Sequence, residues 1–189
     1  MKLLAFAATN HMESINKQLL AFVGTQLKQT ATFPVVLTML DLIDFEMPLY
    51  RQDREAQTGI PEQAKLFYRH IGEADALMIS LAEHNGFYPA FYKNLFDWTS
   101  RISQKVYQDK PALLLSTSPG QGGAGNVLKT AIGSAPYFGM DVKASVSVPS
   151  FFDNFNPETQ SITNPDIQIE IDKAIKLFLE TATVLVSSP

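Results

Sequence analysis

Five short apolar runs, each followed by a segment with helical spacing, constrain the fold of this chain more than any other feature. The runs occupy positions 2–8, 35–43, 76–80, 111–118 and 141–148. After the first run, apolar residues recur at Ile15, Leu19, Phe22 and Val23, which is the spacing of one helix face. Strands that alternate with helices in this way predict a doubly wound, mostly parallel α/β sheet.

Prolines and polar residues mark the predicted boundaries between these elements. Pro61 suits the first position of a helix, and Pro89 is predicted to open the helix after the third strand. Asn164 is placed to cap the last helix. The segments between the regular elements include a predicted loop at 46–60 and a polar insert at 149–164.

Length and composition are those of a globular protein. The chain has 189 residues, of which 46% are hydrophobic, so we expect one domain over residues 1–189. The formal net charge is −4 and no run of Lys and Arg occurs, which argues against a nucleic-acid partner. The chain has no cysteine, which excludes disulfides, a thiolate nucleophile and a zinc–thiolate site. Redox chemistry would therefore need a bound cofactor.

The distribution of apolar residues gives no sign of a membrane segment. No apolar run approaches the roughly 18 residues that a membrane-spanning helix needs, so no membrane partner is expected. The apolar start at 3–8 is short and lacks a cleavage-site pattern, and it is predicted to be the first strand rather than a signal peptide. We expect a cytoplasmic protein.

Ligands of doubly wound sheets bind beyond the carboxyl ends of the strands, which directs attention to three loops. In the first loop, Thr9, Asn10, Ser14 and Asn16 supply hydroxyl and amide groups at the start of a helix, and His11 adds a further donor. Exposed N–H groups and the positive end of the helix dipole make such a position a candidate phosphate site. The alternative is that Ser14 only caps the helix.

The second loop, 80–89, combines a polar turn with aromatic residues. Asn85 and Gly86 allow the backbone to approach a planar heterocycle closely, because glycine has no side chain. Phe87 and Tyr88 lie outside the helical spacing of the rings that follow, and they are candidates for contact with a ligand or a partner. The later rings fit either the core or a face that packs on a second subunit.

The third loop, 116–125, is rich in glycine. Gly120, Gly122 and Gly125 spell the dinucleotide fingerprint G-x-G-x-x-G, and Asp141 follows about 20 residues later. That fingerprint belongs to the first turn of a complete nucleotide-binding half, and too little chain follows here to build one. The loop therefore predicts close approach to a cofactor rather than a Rossmann NAD site.

Taken together, the three loops resemble the motifs of the NADPH-dependent FMN reductase family, which includes quinone, azo-dye and chromate reductases. The family motif G-S-x-R-x-x-S-x-N corresponds to Ala8, Thr9, His11, Ser14 and Asn16. The motif P-E-Y-N-G, followed by L-K-N-A-I-D-W, is matched by AEHNG and YKNLFDW, and S-x-S-P-G-x-x-G-G by STSPGQGG at 116–123. The resemblance extends over nearly the whole chain and implies a flavodoxin-like fold: three α/β/α layers around a five-stranded parallel sheet of order 2-1-3-4-5.

The resemblance also implies FMN as the cofactor and assigns its contacts. The phosphate would be held by Thr9, His11, Ser14, Ile15 and Asn16. The isoalloxazine would be bordered by Ala82, Glu83, His84, Asn85 and Gly86. The other side of the site would be closed by Ser116, Ser118, Gly120 and Gly122.

The function implied by the resemblance is flavin-mediated reduction. NADPH or NADH would pass a hydride to flavin N5, and the reduced flavin would reduce a quinone, another small-molecule acceptor or free flavin in a ping-pong scheme. No catalytic acid, base or nucleophile is needed, and no metal site is expected. The family forms homodimers or homotetramers with the flavin near a subunit interface, so the same is expected here.

The chain departs from the family motifs at several positions. Histidine replaces the family's arginine at His11, and imidazole groups titrate near pH 6.5 whereas guanidinium stays charged. Ala8 replaces a glycine, and Ala82 and His84 replace a proline and a tyrosine. These changes leave two alternatives open: a flavodoxin-type electron carrier, or a non-catalytic binding domain with weakened flavin affinity.

Overall fold

A five-stranded parallel sheet forms the centre of the protein. The computed structural model describes residues 1–186, with side chains for residues 1–181. The strands are β1 (Lys2–Ala7), β2 (Val36–Leu40), β3 (Ala76–Leu81), β4 (Lys110–Thr117) and β5 (Met140–Val148). Their order is β2-β1-β3-β4-β5 and all four pairings are parallel, which confirms the predicted flavodoxin-like topology.

Helices connect the strands and cover both faces of the sheet. They are α1 (Ile15–Thr30), α2 (Gln52–Thr58), α3 (Glu62–Glu73), α4 (Ala90–Ser100), α5 (Gly125–Ser134), α6 (Phe151–Asn154) and α7 (Pro165–Val186). Short 3-10 helices span Leu42–Phe45 and Ala135–Phe138, and a small hairpin pairs β6 (Phe155–Asn156) with β7 (Ser161–Ile162).

Two apolar layers hold the sheet between the helices. On one face, Leu3, Met78 and Leu113 pack against α1 and α7. On the other face, strand residues such as Leu4 and Ile79 pack against α3, α4 and α5. Because the central strands are buried on both faces, their sequences are continuous apolar runs rather than alternating ones. Each fully buried Leu or Phe side chain stabilises the fold by about 1.5–3 kcal/mol.

The second strand is shorter than the sequence predicts. The run 35–43 was expected to be one strand, but β2 ends at Leu40. The Asp41 carboxylate accepts a hydrogen bond from the Ile43 N–H at 3.2 Å and caps the 3-10 helix that follows. The aspartate therefore ends the strand, because its side chain offers the backbone a turn in place of the ladder.

The loop predicted at 46–60 contains α2 and is fastened to α4. The Asn94 side chain accepts a hydrogen bond from the Tyr50 N–H at 2.8 Å, and the Trp98 indole donates to the Pro48 carbonyl at 2.7 Å. No residue of α2 is buried, so its sequence lacks the apolar spacing from which a helix is predicted. The insert 149–164 likewise contains regular structure, namely α6 and the β6–β7 hairpin.

The capping predictions hold at both ends of the chain. The Asn164 side chain accepts from the Asp166 N–H at 3.0 Å, and the Ser14 hydroxyl accepts from the Asn16 N–H at 3.1 Å. Pro61 and Pro89 stand one position earlier than predicted, immediately before the first helical residue. Among the helices of residues 1–186, none is long and apolar enough to cross a membrane.

Candidate functional site

A cleft lies where the loops after β1, β3 and β4 meet at the carboxyl edge of the sheet. Its volume is about 310 Å³. The β1–α1 loop, the start of the β3–α4 loop, the end of β4 and α6 all contribute to its lining. These residues are Thr9, His11, Glu13, Ser14, Ile15, Asn16, Ala82, Glu83, His84, Thr117, Ser118, Pro119 and Phe152.

The first wall of the cleft is the start of α1. The Thr9 hydroxyl accepts a hydrogen bond from the His11 N–H at 3.2 Å, which turns the loop toward the helix. Within residues 1–186, the backbone N–H groups of Met12 and Glu13 have no protein acceptor. Together with the positive end of the α1 dipole, these donors suit an anion such as a phosphate.

Asn16 ties the three loops together beneath the cleft. It is 3% exposed, its side-chain oxygen accepts from the Ser80 hydroxyl at 2.8 Å, and its amide donates to the Thr117 carbonyl at 3.3 Å. Ser80 lies on β3 and Thr117 ends β4, so one side chain bridges α1 to two strands. Its buried polar atoms are satisfied within the protein, which makes it a positioning residue for the loops.

The second wall is a tight turn after β3. The backbone N–H of His84 donates to the Phe87 carbonyl at 2.9 Å, and the Phe87 N–H donates back at 3.1 Å. Between them, Asn85 and Gly86 have φ angles of 54° and 81°. Positive φ at both central positions is the type I′ hairpin geometry, which the Asn-Gly pair adopts readily.

Glu83 connects this second wall to the helix after β4. Its carboxylate accepts a hydrogen bond from the backbone N–H of Val127 at 2.8 Å. Val127 lies in the first turn of α5, where the N–H groups have no partner within the helix. The residue before α5, Ala124, has a left-handed backbone and no side-chain cap, so Glu83 caps the helix from another loop.

The third wall is the glycine-rich loop, which is anchored from below. The Ser116 hydroxyl donates to the Gly123 carbonyl at 2.8 Å, and the Ser147 hydroxyl donates to the same carbonyl at 2.9 Å. Gly123 has a φ of 55°, and a Cβ there would collide with the Ser147 hydroxyl and lie 3.0 Å from the Pro149 nitrogen. Glycine is required at this position by packing and by backbone conformation.

Gly120 and Gly122, which are predicted to approach a cofactor, have open space around them. A Cβ added at Gly120 or Gly122 would meet nothing within 4 Å. Neither residue is needed for packing within the chain, in contrast to Gly123. The open space beside them leaves room for a ligand.

The structure brings nine of the fourteen predicted site residues to the cleft. The nine are Thr9, His11, Ser14, Ile15, Asn16, Ala82, Glu83, His84 and Ser118. The other five are not among its lining residues: Asn85, Gly86, Ser116, Gly120 and Gly122. Ser116 is fully buried and serves the loop anchor described above.

Four lining residues were not predicted from the sequence. They are Glu13, Thr117, Pro119 and Phe152. The first three are neighbours of predicted residues, so the loop assignment could have included them. Phe152 is 69% exposed and comes from the insert, and no sequence pattern signals its position.

The charges around the cleft are unusual for a phosphate site. Its lining contains two imidazoles, His11 and His84, and two carboxylates, Glu13 and Glu83, but neither Lys nor Arg. Lys17, one turn further along α1, forms a 2.7 Å ion pair with Asp41. Burial alone would raise the Asp41 pKa, but the hydrogen bonds from Lys17 and the Ile43 N–H and the Lys17 charge lower it overall. Lys17 is therefore already paired.

The donor set fits the phosphate and ribityl chain of FMN. Hydroxyls of Thr9 and Ser14 and the N–H groups at the start of α1 surround the same space, whereas the Ser118 hydroxyl lines it and donates to the Gly120 carbonyl at 3.2 Å. The His84–Phe87 turn lies beside this space, and His84 lines it. This arrangement suits a ligand with one anionic end and one planar end.

The fold and the position of the cleft define a flavodoxin-like protein. The structure of FerB, a flavoenzyme NAD(P)H:(acceptor) oxidoreductase from Paracoccus denitrificans, superposes with a TM-score of 0.72. The match covers 96% of this chain and 97% of FerB at 22% identity, and it establishes the shared fold. The family model for NADPH-dependent FMN reductases matches residues 1–153. The chain therefore belongs to the NADPH-dependent FMN reductase family, which is a family of oxidoreductases, as its motifs predict.

Two curated relatives are similar to this chain. An uncharacterized protein of Mycoplasma pneumoniae is 27% identical over 160 residues, covering 82% of this chain and 91% of the relative. A 2-hydroxy-1,4-benzoquinone reductase from Burkholderia is 32% identical over 122 residues, covering 64% of this chain and 62% of the relative. The match thus spans less than two thirds of that named reductase.

Proposed function

We propose that this protein is an NAD(P)H-dependent oxidoreductase that uses FMN to reduce quinones, similar small acceptors or free flavin. The observation that carries the proposal is the convergence of the loops after β1, β3 and β4 on one cleft. The family assignment supports the cofactor and the donor, since the family is described as NADPH-dependent FMN reductases.

In this proposal the start of α1 holds the phosphate. The N–H groups of the β1–α1 loop and the hydroxyls of Thr9 and Ser14 donate to the phosphate oxygens, and His11 supplies the positive charge. Asn16 acts from below, because its two hydrogen bonds keep the three loops at the correct separation. The binding energy then depends on an imidazole at the position where the family motif has a guanidinium.

The isoalloxazine is assigned to the space between the second and third loops. The segment from Ala82 to Gly86 borders one edge of the ring, and Ser118, Gly120 and Gly122 border the other. Ser116 contributes indirectly by anchoring the glycine-rich loop. When bound, FMN would accept a hydride from NADPH or NADH at N5 and deliver it to the acceptor in a ping-pong scheme. The chain's part is to bind, orient and supply backbone hydrogen bonds.

We also propose that the protein is a single flavodoxin-like domain that assembles as a homodimer or homotetramer. Leu49 is 70% exposed on the loop that Asn94 and Trp98 fasten to α4. The assembly is what the family resemblance implies, and Leu49 offers an exposed apolar side chain at which it can be tested. Sedimentation velocity of the wild-type protein and of Leu49→Glu tests this, with the expectation that the charged variant sediments more slowly.

The first test of function is a visible absorption spectrum after incubation with FMN and desalting. We expect retained flavin bands, their bleaching by NADPH without oxygen, and their return on addition of 1,4-benzoquinone. Retained flavin with no bleaching would favour the electron carrier over the reductase. A colourless protein would favour the non-catalytic binding domain.

A further inference from the structure

A second cavity lies outside the cleft, in the groove between α4 and α5. Its volume is about 260 Å³. Five of its twelve lining residues are aromatic, namely Phe87, Tyr88, Phe96, Tyr107 and Phe138, and Ala131 and Met140 add further apolar surface. A groove lined by several rings suits a small apolar ligand.

The rings are held in place by contacts with one another. Phe96 meets Phe138 edge to face with ring centres 4.7 Å apart, and it meets Tyr107 at 5.8 Å. Phe87 and Tyr88 form a further edge-to-face pair at 5.1 Å. The rings are therefore arranged before any ligand binds, so little ordering of side chains would oppose binding.

The polar groups of the lining already have partners. The hydroxyls of Ser100, Thr130 and Ser134 each donate to a carbonyl of their own helix, at 2.8, 3.0 and 2.9 Å. Lys93 and Asp97 neutralise each other through a 2.6 Å ion pair. Nothing in this lining selects a charged ligand, because no unpaired charge faces the cavity.

The innermost ring is uncharged as well. The Tyr107 hydroxyl shares a 2.7 Å hydrogen bond with the Tyr92 hydroxyl. Burial, together with the nearby Tyr88, raises the pKa of Tyr107 above its ordinary value, and burial also raises that of Tyr92. Both phenols are therefore neutral at physiological pH, and their hydrogen bond satisfies them within the protein.

One turn separates this cavity from the cleft. His84 lines the cleft and Phe87 lines the cavity, and two backbone hydrogen bonds join the two residues. The turn is thus a shared wall between the two spaces.

We propose that the α4–α5 cavity is a binding site for a neutral, planar aromatic molecule of about two fused rings. The site is separate from the cleft, and it does not depend on the function proposed for the cleft. Aromatic walls favour edge-to-face and stacked contacts with such a ligand, while the satisfied polar lining gives a charged ligand no compensation for lost hydration.

The test is an NMR titration with 2-naphthol, a neutral two-ring compound that cannot accept a hydride. Binding is followed through the methyl resonances of the six methionines. Met140 lines the cavity, Met12 lies on the β1–α1 loop, and Met78 is buried in the sheet. In the wild-type protein with FMN present, we expect ring currents to shift the Met140 methyl saturably and to leave Met12 and Met78 unmoved. Thr130→Trp places an indole in the cavity and is expected to weaken binding at least about tenfold.

Thr25→Trp is the matched control, since Thr25 lies on α1 and makes the same hydrogen bond to the carbonyl four residues earlier. It is expected to leave 2-naphthol binding unchanged. Absence of a saturable Met140 shift in the wild-type protein would overturn the proposal. A shift of the Met12 methyl resonance that FMN competes away would place the ligand in the cleft instead. A shift of the Met140 methyl resonance that depends on protein concentration alone would show that a second copy covers the groove.

Discussion

Glu83 and Val127, 44 residues apart, are joined by a 2.8 Å hydrogen bond from the Val127 backbone N–H to the Glu83 carboxylate. Glu83 follows β3 and lines the cleft, whereas Val127 lies in the first turn of α5. The loop that borders the proposed flavin ring therefore also caps the helix behind the glycine-rich loop. A single carboxylate couples the second and third walls of the cleft.

Removal of this cap is expected to affect both stability and cofactor binding. Glu83→Ala should lower the free energy of unfolding by about 1 kcal/mol, because the first turn of α5 loses its acceptor. Glu83→Gln keeps an acceptor oxygen and loses only the charge at the helix start, so a smaller loss is expected. Urea denaturation of the three proteins measures the difference. Equal midpoints for wild type and Glu83→Ala would contradict the capping role.

The affinity for FMN is expected to fall as pH rises from 6 to 8.5. The cleft lining contains imidazoles and neither Lys nor Arg, and a reference imidazole loses its charge over this range whereas a guanidinium does not. A charge-assisted hydrogen bond contributes about 1.5–3 kcal/mol, so a loss of about tenfold in affinity is reasonable. Quenching of FMN fluorescence measures the dissociation constant at each pH.

Two comparisons separate His11 from other causes of this pH dependence. Riboflavin lacks the phosphate, so its affinity should stay level across the range. His11→Arg should bind FMN with little change between pH 6 and 8.5, while His84→Gln should keep the wild-type profile. An FMN affinity of the wild type that does not vary with pH would sink the assignment of His11 to the phosphate.

Neighbouring glycines in the third loop are expected to differ in their tolerance of a methyl group. Gly123→Ala forces a side chain into a left-handed position against Ser147, and about 2 kcal/mol of unfolding free energy should be lost. Gly122→Ala meets only open space and should leave stability unchanged while weakening FMN binding. Thermal and urea unfolding test the first effect and FMN titration the second. Equal stability of the two variants would contradict the packing argument.

The phenol pair of Tyr92 and Tyr107 is expected to make the protein sensitive to alkali. Both pKa values are raised by burial, so the folded state keeps protons that the unfolded chain releases near pH 10. The stabilisation is fully present below that pH and is lost as pH rises through the range above it. Urea midpoints measured from pH 8 to 11 should fall in the wild type and fall less in the Tyr92→Phe/Tyr107→Phe double variant.

The same pair also allows a test at neutral pH. Tyr92→Phe alone leaves the Tyr107 hydroxyl buried without its partner, which should cost about 1–3 kcal/mol of unfolding free energy. The double variant removes both hydroxyls and should be closer to the wild type than the single one. A single variant as stable as the double would mean that water satisfies Tyr107.

The sheet was predictable from the sequence because its central strands are buried on both faces. A strand of this kind is apolar at nearly every position, and the predicted run 76–80 corresponds to β3 at Ala76–Leu81. The same rule misled at 35–43, where the chain stays apolar after the strand has ended. There the capping carboxylate of Asp41 decides the boundary, and a rule based on apolar runs takes no account of it.

The site was predictable where its residues act locally and obscure where they act across loops. Ser14 caps the helix that it precedes, and Asn85 and Gly86 make the turn that contains them, so neighbouring residues suffice to predict both. The Glu83–Val127 bond and the contribution of Phe152 to the cleft join segments far apart in the chain. Such contacts depend on the packing of complete elements, and sequence spacing does not encode them.

The three loops of the cleft all arise from strands with a neighbour on each side. β1 lies between β2 and β3, β3 between β1 and β4, and β4 between β3 and β5. Fraying of this sheet begins at its margins, where β2 exposes Val36 and Met39 and pairs on one side only. Amide hydrogens in the strands under the cleft should therefore exchange more slowly than those of β2, and transient opening of the margin leaves the spacing of the loops intact.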